Sequence, residues 1–125
     1  MGTFESRLLE FVNNENGFIF YKLLIDDVCY FDLFVEKLRK YPRDAKSLDS
    51  IFAYMDSFSK AMLPQSKFRQ IKNVQRKDIF EFKKGNIRVY VILQDSDIYV
   101  IAGGFKNEQK QDVQRIARQV KQFKI

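Results

Sequence analysis

The chain has few of the side chains that most enzyme sites use. Its 125 residues include no histidine and one cysteine. Without histidine, neither a Ser-His nor a Cys-His nucleophile can exist, and a histidine-containing zinc site is excluded. One cysteine also excludes an internal disulfide and an all-cysteine zinc site. Neither a GxGxxG nor a Walker loop is present. Acid–base chemistry is left to Lys, Arg, Tyr, Asp or Glu, and the sequence predicts no metal and no cofactor.

Membrane and secretion signals are also missing. The apolar runs fall far short of the roughly 20 residues that cross a bilayer. Met1–Glu5 has no basic start followed by an apolar run, as a signal peptide would. We therefore expect a cytoplasmic protein without membrane contact. Cys29 lies in an apolar helical pattern, which favours a small core residue over a nucleophile.

Apolar and basic residues are abundant. The hydrophobic fraction is 46% and the aromatic fraction 15%, which suit one packed domain over residues 1–125. Residues 66–125 carry fourteen basic and six acidic side chains, whereas residues 1–65 carry eight and ten. Such asymmetry indicates nucleic acid or another polyanion as a partner. It does not distinguish a nuclease from a binding protein, or either from a protein that docks an acidic partner.

The clearest pattern predicts two consecutive hairpins. Strands are predicted at residues 79–84, 87–94 and 98–104, with turns at Gly85-Asn86 and Asp95-Ser96-Asp97. The first turn sets the pairs Lys84–Ile87, Lys83–Arg88 and Phe82–Val89, so Phe80, Phe82, Val89 and Val91 share the core face. Lys83 then lies opposite Arg88, with Glu81 diagonal to Arg88 and able to hold it. Like charges directly opposite are unfavourable, but a phosphate between them would be bound well.

The second hairpin keeps the same core face if two pairs form across it. These pairs are Val89–Ala102 and Val91–Val100. Gly103 then falls beside Arg88 and leaves open space above the guanidinium. Lys106, Gln109 and Lys110 follow the third strand. Two interpretations stay open: a phosphate site, or a solvated cationic edge that deters aggregation.

The remaining periodicities predict an α+β fold. The predicted elements are a short helix in Thr3–Val12, a strand at Phe18–Ile25, a helix from a cap at Asp26 or Asp27 to Tyr41-Pro42, a helix from Ser47 to Met62 ended by Leu63-Pro64, a weak strand at Lys67–Ile71 and a last helix over 109–124. The two middle helices should form an antiparallel hairpin. Strands that cluster after a helical hairpin favour a largely antiparallel sheet. The last helix has a basic face with Lys110, Arg115, Arg118, Lys121 and Lys124.

Three segments in this order resemble the RelE/ParE superfamily of bacterial toxins, especially the HigB-like branch. They are Phe80-Glu81-Phe82-Lys83, Arg88-Val89-Tyr90 and Gly104-Phe105-Lys106-Asn107-Glu108-Gln109-Lys110. Leu63-Pro64 and Lys67-Phe68-Arg69 resemble the lead into the family's sheet. The likeness covers roughly residues 18–124 and makes 1–17 an N-terminal extension. It implies a RelE-like α+β microdomain, in which the N-terminal helical hairpin packs on a twisted, mostly antiparallel sheet that is followed by a C-terminal helix.

The resemblance also implies a function. Many members are ribosome-dependent endoribonucleases that cut mRNA by attack of the 2′-hydroxyl on the adjacent phosphate, and a cognate antitoxin neutralises them. Carried over by position, Arg88, Lys83 and Lys106 would be catalytic, and Glu81 would orient Arg88. Lys110, Gln109, Tyr90 and Arg115 would bind RNA, with Tyr90 in a stacking or scaffolding role. Many active members have a late Tyr or His, and this chain has neither after Tyr99.

Other members of the superfamily are not nucleases. Some inhibit gyrase, and others are weakened. The alternative is therefore a non-enzymatic toxin-like binding or interaction module.

Overall fold

A computed structural model describes residues 2–59 and 63–124 of the chain. The elements are β1 (Phe4–Leu8), β2 (Ile19–Ile25), α1 (Tyr30–Leu38), α2 (Pro42–Ser57), β3 (Phe68–Gln70), β4 (Ile79–Lys84), β5 (Ile87–Gln94), β6 (Asp97–Phe105), a 3₁₀ turn at Lys106–Glu108 and α3 (Gln109–Gln119). This is an α+β architecture, as predicted. None of the helices in the described ranges is long and apolar enough to cross a membrane.

One six-stranded sheet runs through the molecule. Its strand order is β1-β2-β6-β5-β4-β3, and among the strands of the described residues only the β2–β6 pair is parallel. Both faces of the central strands are covered, so β5 and β6 are almost entirely buried. The sheet therefore lies between two helical layers.

Each face of the sheet has its own apolar cluster. On one face Phe82, Val89 and Val91 pack with buried residues of α1 and α2. Phe80 joins this cluster, as the alternation predicted. On the other face Ile92 packs with residues of α3 and of the segment that follows it. These two layers hold β4–β6 rigidly and fix the side chains at their ends.

The N-terminal segment is a strand, so the predicted helix at Thr3–Val12 is wrong. Phe4 and Leu8 are spaced for a helix, but residues 4–8 pair antiparallel with β2. The ring of Phe4 also packs edge-on against Phe123, with 5.3 Å between centroids. Sheet pairing and this tertiary contact outweigh a local pattern of only a few residues. The segment before Phe18 thus contributes a strand to the sheet.

Both middle helices begin at different residues from those predicted. Asp26 and Asp27 have positive φ in a turn, and Cys29 caps α1 by accepting a hydrogen bond from the Asp32 N–H. α2 begins at Pro42 rather than after Ser47, since a proline suits the first helical position. Its predicted end at Met62 lies outside the described residues, and α2 ends at Ser57. The expected antiparallel packing of these helices stays a prediction.

The third helix is shorter than predicted and the last strand slightly longer. α3 ends at Gln119 instead of 124, and β6 covers Asp97–Phe105. The weak strand at Lys67–Ile71 is confirmed as β3, reduced to Phe68–Gln70. The basic residues Lys121 and Lys124 consequently lie beyond the helix.

The first hairpin has the predicted register, but the second does not keep it throughout. Lys83 lies opposite Arg88, as expected. Val91 lies opposite Val100, but the pairing shifts by one residue between Tyr90 and Val91. This irregularity places Val89 opposite Gly103, not Ala102. A β-bulge of this kind cannot be inferred from alternation alone.

Candidate nucleic-acid interface

The carboxylate of Glu81 lies at the centre of the predicted site. It is fully buried on β4, between β3 and β5. Arg69 Nε on β3 donates to Oε2 at 3.1 Å. Gln109 Nε2, at the start of α3, donates to both oxygens at 2.8 and 3.0 Å. Arg88 Nε lies 3.3 Å from Oε1. Because buried charges need partners, this carboxylate joins β4 to β3, to β5 and to the start of α3.

Arg88 is held by the β4–β5 turn as well as by Glu81. Its Nη1 donates to the carbonyl oxygens of Gly85 at 3.0 Å and Ile87 at 2.9 Å. Gly85 has a φ of +54°, which glycine adopts at low cost and which shapes this turn. The Nε of Arg88 is buried and not aligned for a hydrogen bond, so the attraction between Arg88 and Glu81 at this atom is electrostatic. With only 6% of its side chain exposed, Arg88 is a rigid and nearly enclosed cation.

Lys83 lies beside this cluster with part of its surface exposed. It is directly opposite Arg88 in the β4–β5 ladder. Burial lowers the pKa of its ammonium group, and the charges of Arg69, Arg88 and Lys106 lower it further, while Glu81 acts in the opposite direction. Lys106 is exposed at the end of β6, and its N–H donates to Asn86 in the facing turn. Three cations therefore act on Lys83 beside the buried carboxylate of Glu81.

A groove of about 700 Å³ opens next to Glu81. It lies between the segment that follows β3 and the start of α3. Its lining includes Arg69, Lys72, Glu81, Gln109 and Lys110. This volume is within the usual range for small-ligand sites. Apart from Glu81, every charged side chain in the lining is basic, which suits an anionic ligand.

Two predicted RNA-binding residues do not contribute to the exposed surface of this cluster. Tyr90 lies directly opposite Glu81 in the β4–β5 ladder. Tyr90 is fully buried in the cluster under α3, which fits the scaffolding role and leaves no room for a base to stack. Burial also raises the pKa of its hydroxyl. Arg115 donates to Asp112 at 2.9 Å and lines a different groove, beside Gly103 and Gly104. The structure thus brings together Glu81, Lys83, Arg88, Lys106, Gln109 and Lys110, with Tyr90 buried beneath them beside Glu81 and Arg115 in a different groove.

The open space expected above Arg88 is filled. Gly104, not Gly103, lies opposite Arg88 because of the shift in pairing. A Cβ atom at Gly104 would overlap the carboxylate of Asp112, and one at Gly103 would overlap the ring of Phe34. Both glycines are therefore needed for close packing of neighbouring side chains. The expectation failed because an irregular pairing displaced β6 by one residue.

Two functional candidates were missed by sequence reasoning. Arg69 was noted in the resemblance but not assigned to the site, although it pairs with Glu81 across β3 and β4. Extending the hairpin register to the preceding strand would have found it. Asp112 is a buried acid whose carboxyl pKa is raised by burial, while Arg115 opposes that change. It faces Gly104 from α3, and no sequence pattern indicated that contact.

In residues 2–59 and 63–124, no three acidic or cysteine side chains are grouped so that they could hold a metal ion.

The comparisons with known proteins add no relative. No model of a protein family matches the chain, and no curated protein or solved structure is significantly similar to it.

Replacing Glu81 by glutamine should destabilise the protein. A neutral amide would leave Arg88 charged and nearly enclosed without its carboxylate, which costs roughly 3–5 kcal/mol. We expect the free energy of unfolding of Glu81→Gln, measured by urea denaturation, to fall by about 3 kcal/mol or more. The matched control is Glu36→Gln, which removes an exposed pair with Arg39 and should cost less than about 0.5 kcal/mol. Equal losses in both variants would contradict the role assigned to Glu81.

Removing the charge of Arg69 should raise the pKa of Lys83. Arg69 disfavours the protonated ammonium of Lys83, so Arg69→Gln shifts its titration to higher pH. NMR titration of the Lys83 side chain measures this directly. Lys121→Gln, which changes a lysine beyond α3, should leave the titration where it was. A pKa of Lys83 that stays unchanged or falls in Arg69→Gln would refute the electrostatic coupling.

Proposed function

We propose that this chain binds RNA through its phosphates at the basic cluster of Arg69, Lys83, Arg88 and Lys106. The observation that supports this is the excess of positive charge around the single carboxylate of Glu81. Guanidinium and ammonium groups suit phosphate oxygens, and their mutual repulsion is relieved when an anion binds. Lys110 and Lys72 extend the same charge along the adjoining groove. A single-stranded backbone could follow this path, as in other basic grooves that bind RNA.

We further propose that the chain is a RelE/ParE-like toxin that cleaves mRNA on the bacterial ribosome, in the cytoplasm, and is neutralised by a cognate antitoxin. In the proposed reaction, Lys83 accepts the proton of the 2′-hydroxyl. The 2′-oxygen then attacks the adjacent phosphorus and the bond to the 5′-oxygen breaks. Arg88 stabilises the charge that develops on the phosphate, and Lys106 protonates the leaving oxygen. No cofactor takes part.

The surroundings of Lys83 support its role as the base. A lysine is protonated at neutral pH unless its pKa is lowered, and both burial and three neighbouring cations act in that direction. Under this proposal the cleavage rate rises with pH as Lys83 loses its proton. Glu81 holds the two arginines and is itself held by Gln109, so the charge of the transition state is stabilised by fixed rather than mobile cations.

The alternative is a toxin-like binding module without catalysis, such as a gyrase inhibitor. The observation that favours it is the enclosure of Arg88, whose Nη1 already donates to two backbone carbonyls. A guanidinium held in this way contributes positive potential to the surface without direct contact with the phosphate. The same basic cluster would then bind an acidic target.

Expression in a bacterium tests the nuclease proposal. We expect the wild type to arrest growth and to cut mRNA in phase with codons, and Lys83→Ala to abolish both effects, because the base is lost. Lys84→Ala is the matched control, since the next residue of β4 is exposed and alternates to the opposite face. Arg88→Ala should also be inactive, and its circular dichroism spectrum shows whether the fold survives.

Two results would overturn the nuclease proposal. Intact mRNA with equal growth for wild type and Lys83→Ala would exclude it. Growth arrest with intact mRNA but altered DNA supercoiling would replace it with the gyrase-type alternative. Salt dependence of RNA binding would show only that phosphates are contacted, so it does not distinguish the nuclease proposal from the gyrase-type alternative.

A further inference from the structure

We propose that β1 is the contact surface of a homodimer, in which two copies pair their β1 strands antiparallel and form one continuous sheet. This inference does not depend on the proposed function. It rests on the free edge of β1, on the direction of its backbone groups and on a charge pattern that is complementary to itself.

β1 is an edge strand with unused hydrogen-bonding groups. Within residues 2–59 and 63–124, it pairs with β2 alone. The Thr3 carbonyl accepts from the Asp26 N–H, and the Leu9 N–H donates to the Phe20 carbonyl. Because backbone groups alternate in direction along an antiparallel strand, odd-numbered residues face β2. Phe4, Ser6 and Leu8 therefore direct their N–H and C=O groups away from the sheet.

A second β1 can satisfy all of these groups in one register. With a two-fold axis between the two copies of Ser6, each Ser6 pairs with its counterpart and each Phe4 pairs with the partner's Leu8. All three pairs are then of the hydrogen-bonded kind, in which two residues exchange both bonds. A two-fold interface of this type uses the same patch on both subunits.

The side chains of β1 fit the same register. Glu5 lies opposite the partner's Arg7, and Arg7 lies opposite the partner's Glu5. Both side chains point to one face of the strand, and within one copy Arg7 Nε donates to Glu5 Oε2 at 2.6 Å. Because Glu5 is 50% and Arg7 59% exposed, this pair contributes little to the stability of one copy, and in the dimer the two pairs join into one alternating network of four charges. Opposite charges facing each other across strands stabilise a pairing, whereas like charges disfavour it. The alternation Glu-Ser-Arg therefore selects the antiparallel, symmetric arrangement.

The opposite face of β1 supplies apolar contact. Leu8 is 55% exposed, and Phe4 is half-buried against Phe123. In the proposed register, the partner's Leu8 packs beside Phe4 on the side of the sheet that carries α3. Natural edge strands are usually protected by charges on the edge, prolines or bulges. β1 has no proline and no irregularity in its pairing with β2, and its charges complement a second copy.

The other edge of the sheet is less suited to this pairing. β3 has only three residues, and its Arg69 is held by Glu81. The dimer contact is therefore at β1, and the basic cluster at the far edge of the sheet stays free.

Sedimentation velocity of the full chain over a range of concentrations tests the dimer. We expect the wild type to reach the dimer mass. Glu5→Arg and Arg7→Glu should each raise the dissociation constant about tenfold or more, because like charges then face each other at two symmetric positions. An equimolar mixture of these two variants should dimerise again, since all-basic and all-acidic strands complement each other.

Ser6→Pro is the matched backbone variant. It removes an N–H that faces away from β2, so the β1–β2 hydrogen bonds remain. We expect a monomer whose circular dichroism spectrum matches that of the wild type, with a Tm that no longer depends on protein concentration. A wild type that stays monomeric, or a dimer that neither charge reversal weakens, would overturn the proposal. Failure of the mixed variants to associate would also overturn it, because it would exclude the Glu5–Arg7 register.

Discussion

The buried carboxylate of Glu81 determines how the basic end of the sheet is built. It is fully buried, yet it contacts side chains from β3, β5 and α3. Removing one partner of such a carboxylate leaves a buried charge without compensation in a poorly solvated region. Moving any one of the three segments would therefore cost free energy, so the segments keep their relative positions. Lys83 and Lys106 therefore lie beside arginines whose positions are fixed.

Close packing beside this cluster depends on a small irregularity in the sheet. The shift between Tyr90 and Val91 sets Gly103 opposite Val89 and Gly104 opposite Arg88. Without side chains at these two positions, the ring of Phe34 and the carboxylate of Asp112 can approach β6 from opposite faces. The helices α1 and α3 are thus seated directly on the strand that precedes Lys106. The geometry of the basic cluster therefore depends on contacts from both layers.

Local patterns predicted the central hairpin well because alternation and turn chemistry act over a few residues. The pair Lys83–Arg88 and the contact of Arg88 with Glu81 both followed from the Gly85-Asn86 turn. The strand at Phe4–Leu8 could not be found in this way, since its conformation depends on β2, a partner beyond the local window. The burial of Tyr90 likewise depends on α3 covering the sheet, a contact that spacing does not encode. Arg69 was missed for a related reason, because only the pairing of β3 with β4 brings it to Glu81.

Binding of an RNA backbone at the basic cluster held by Glu81 is the proposal on which the function depends. The most direct measurement is an NMR titration of the isotope-labelled chain with a single-stranded oligoribonucleotide at low ionic strength, where phosphate contacts are strongest. We expect chemical-shift changes concentrated at Arg69, Lys83, Lys106 and Lys110, which diminish as salt is added. Absence of shifts at these residues, or shifts confined to the exposed surface of α1 and α2, would contradict it.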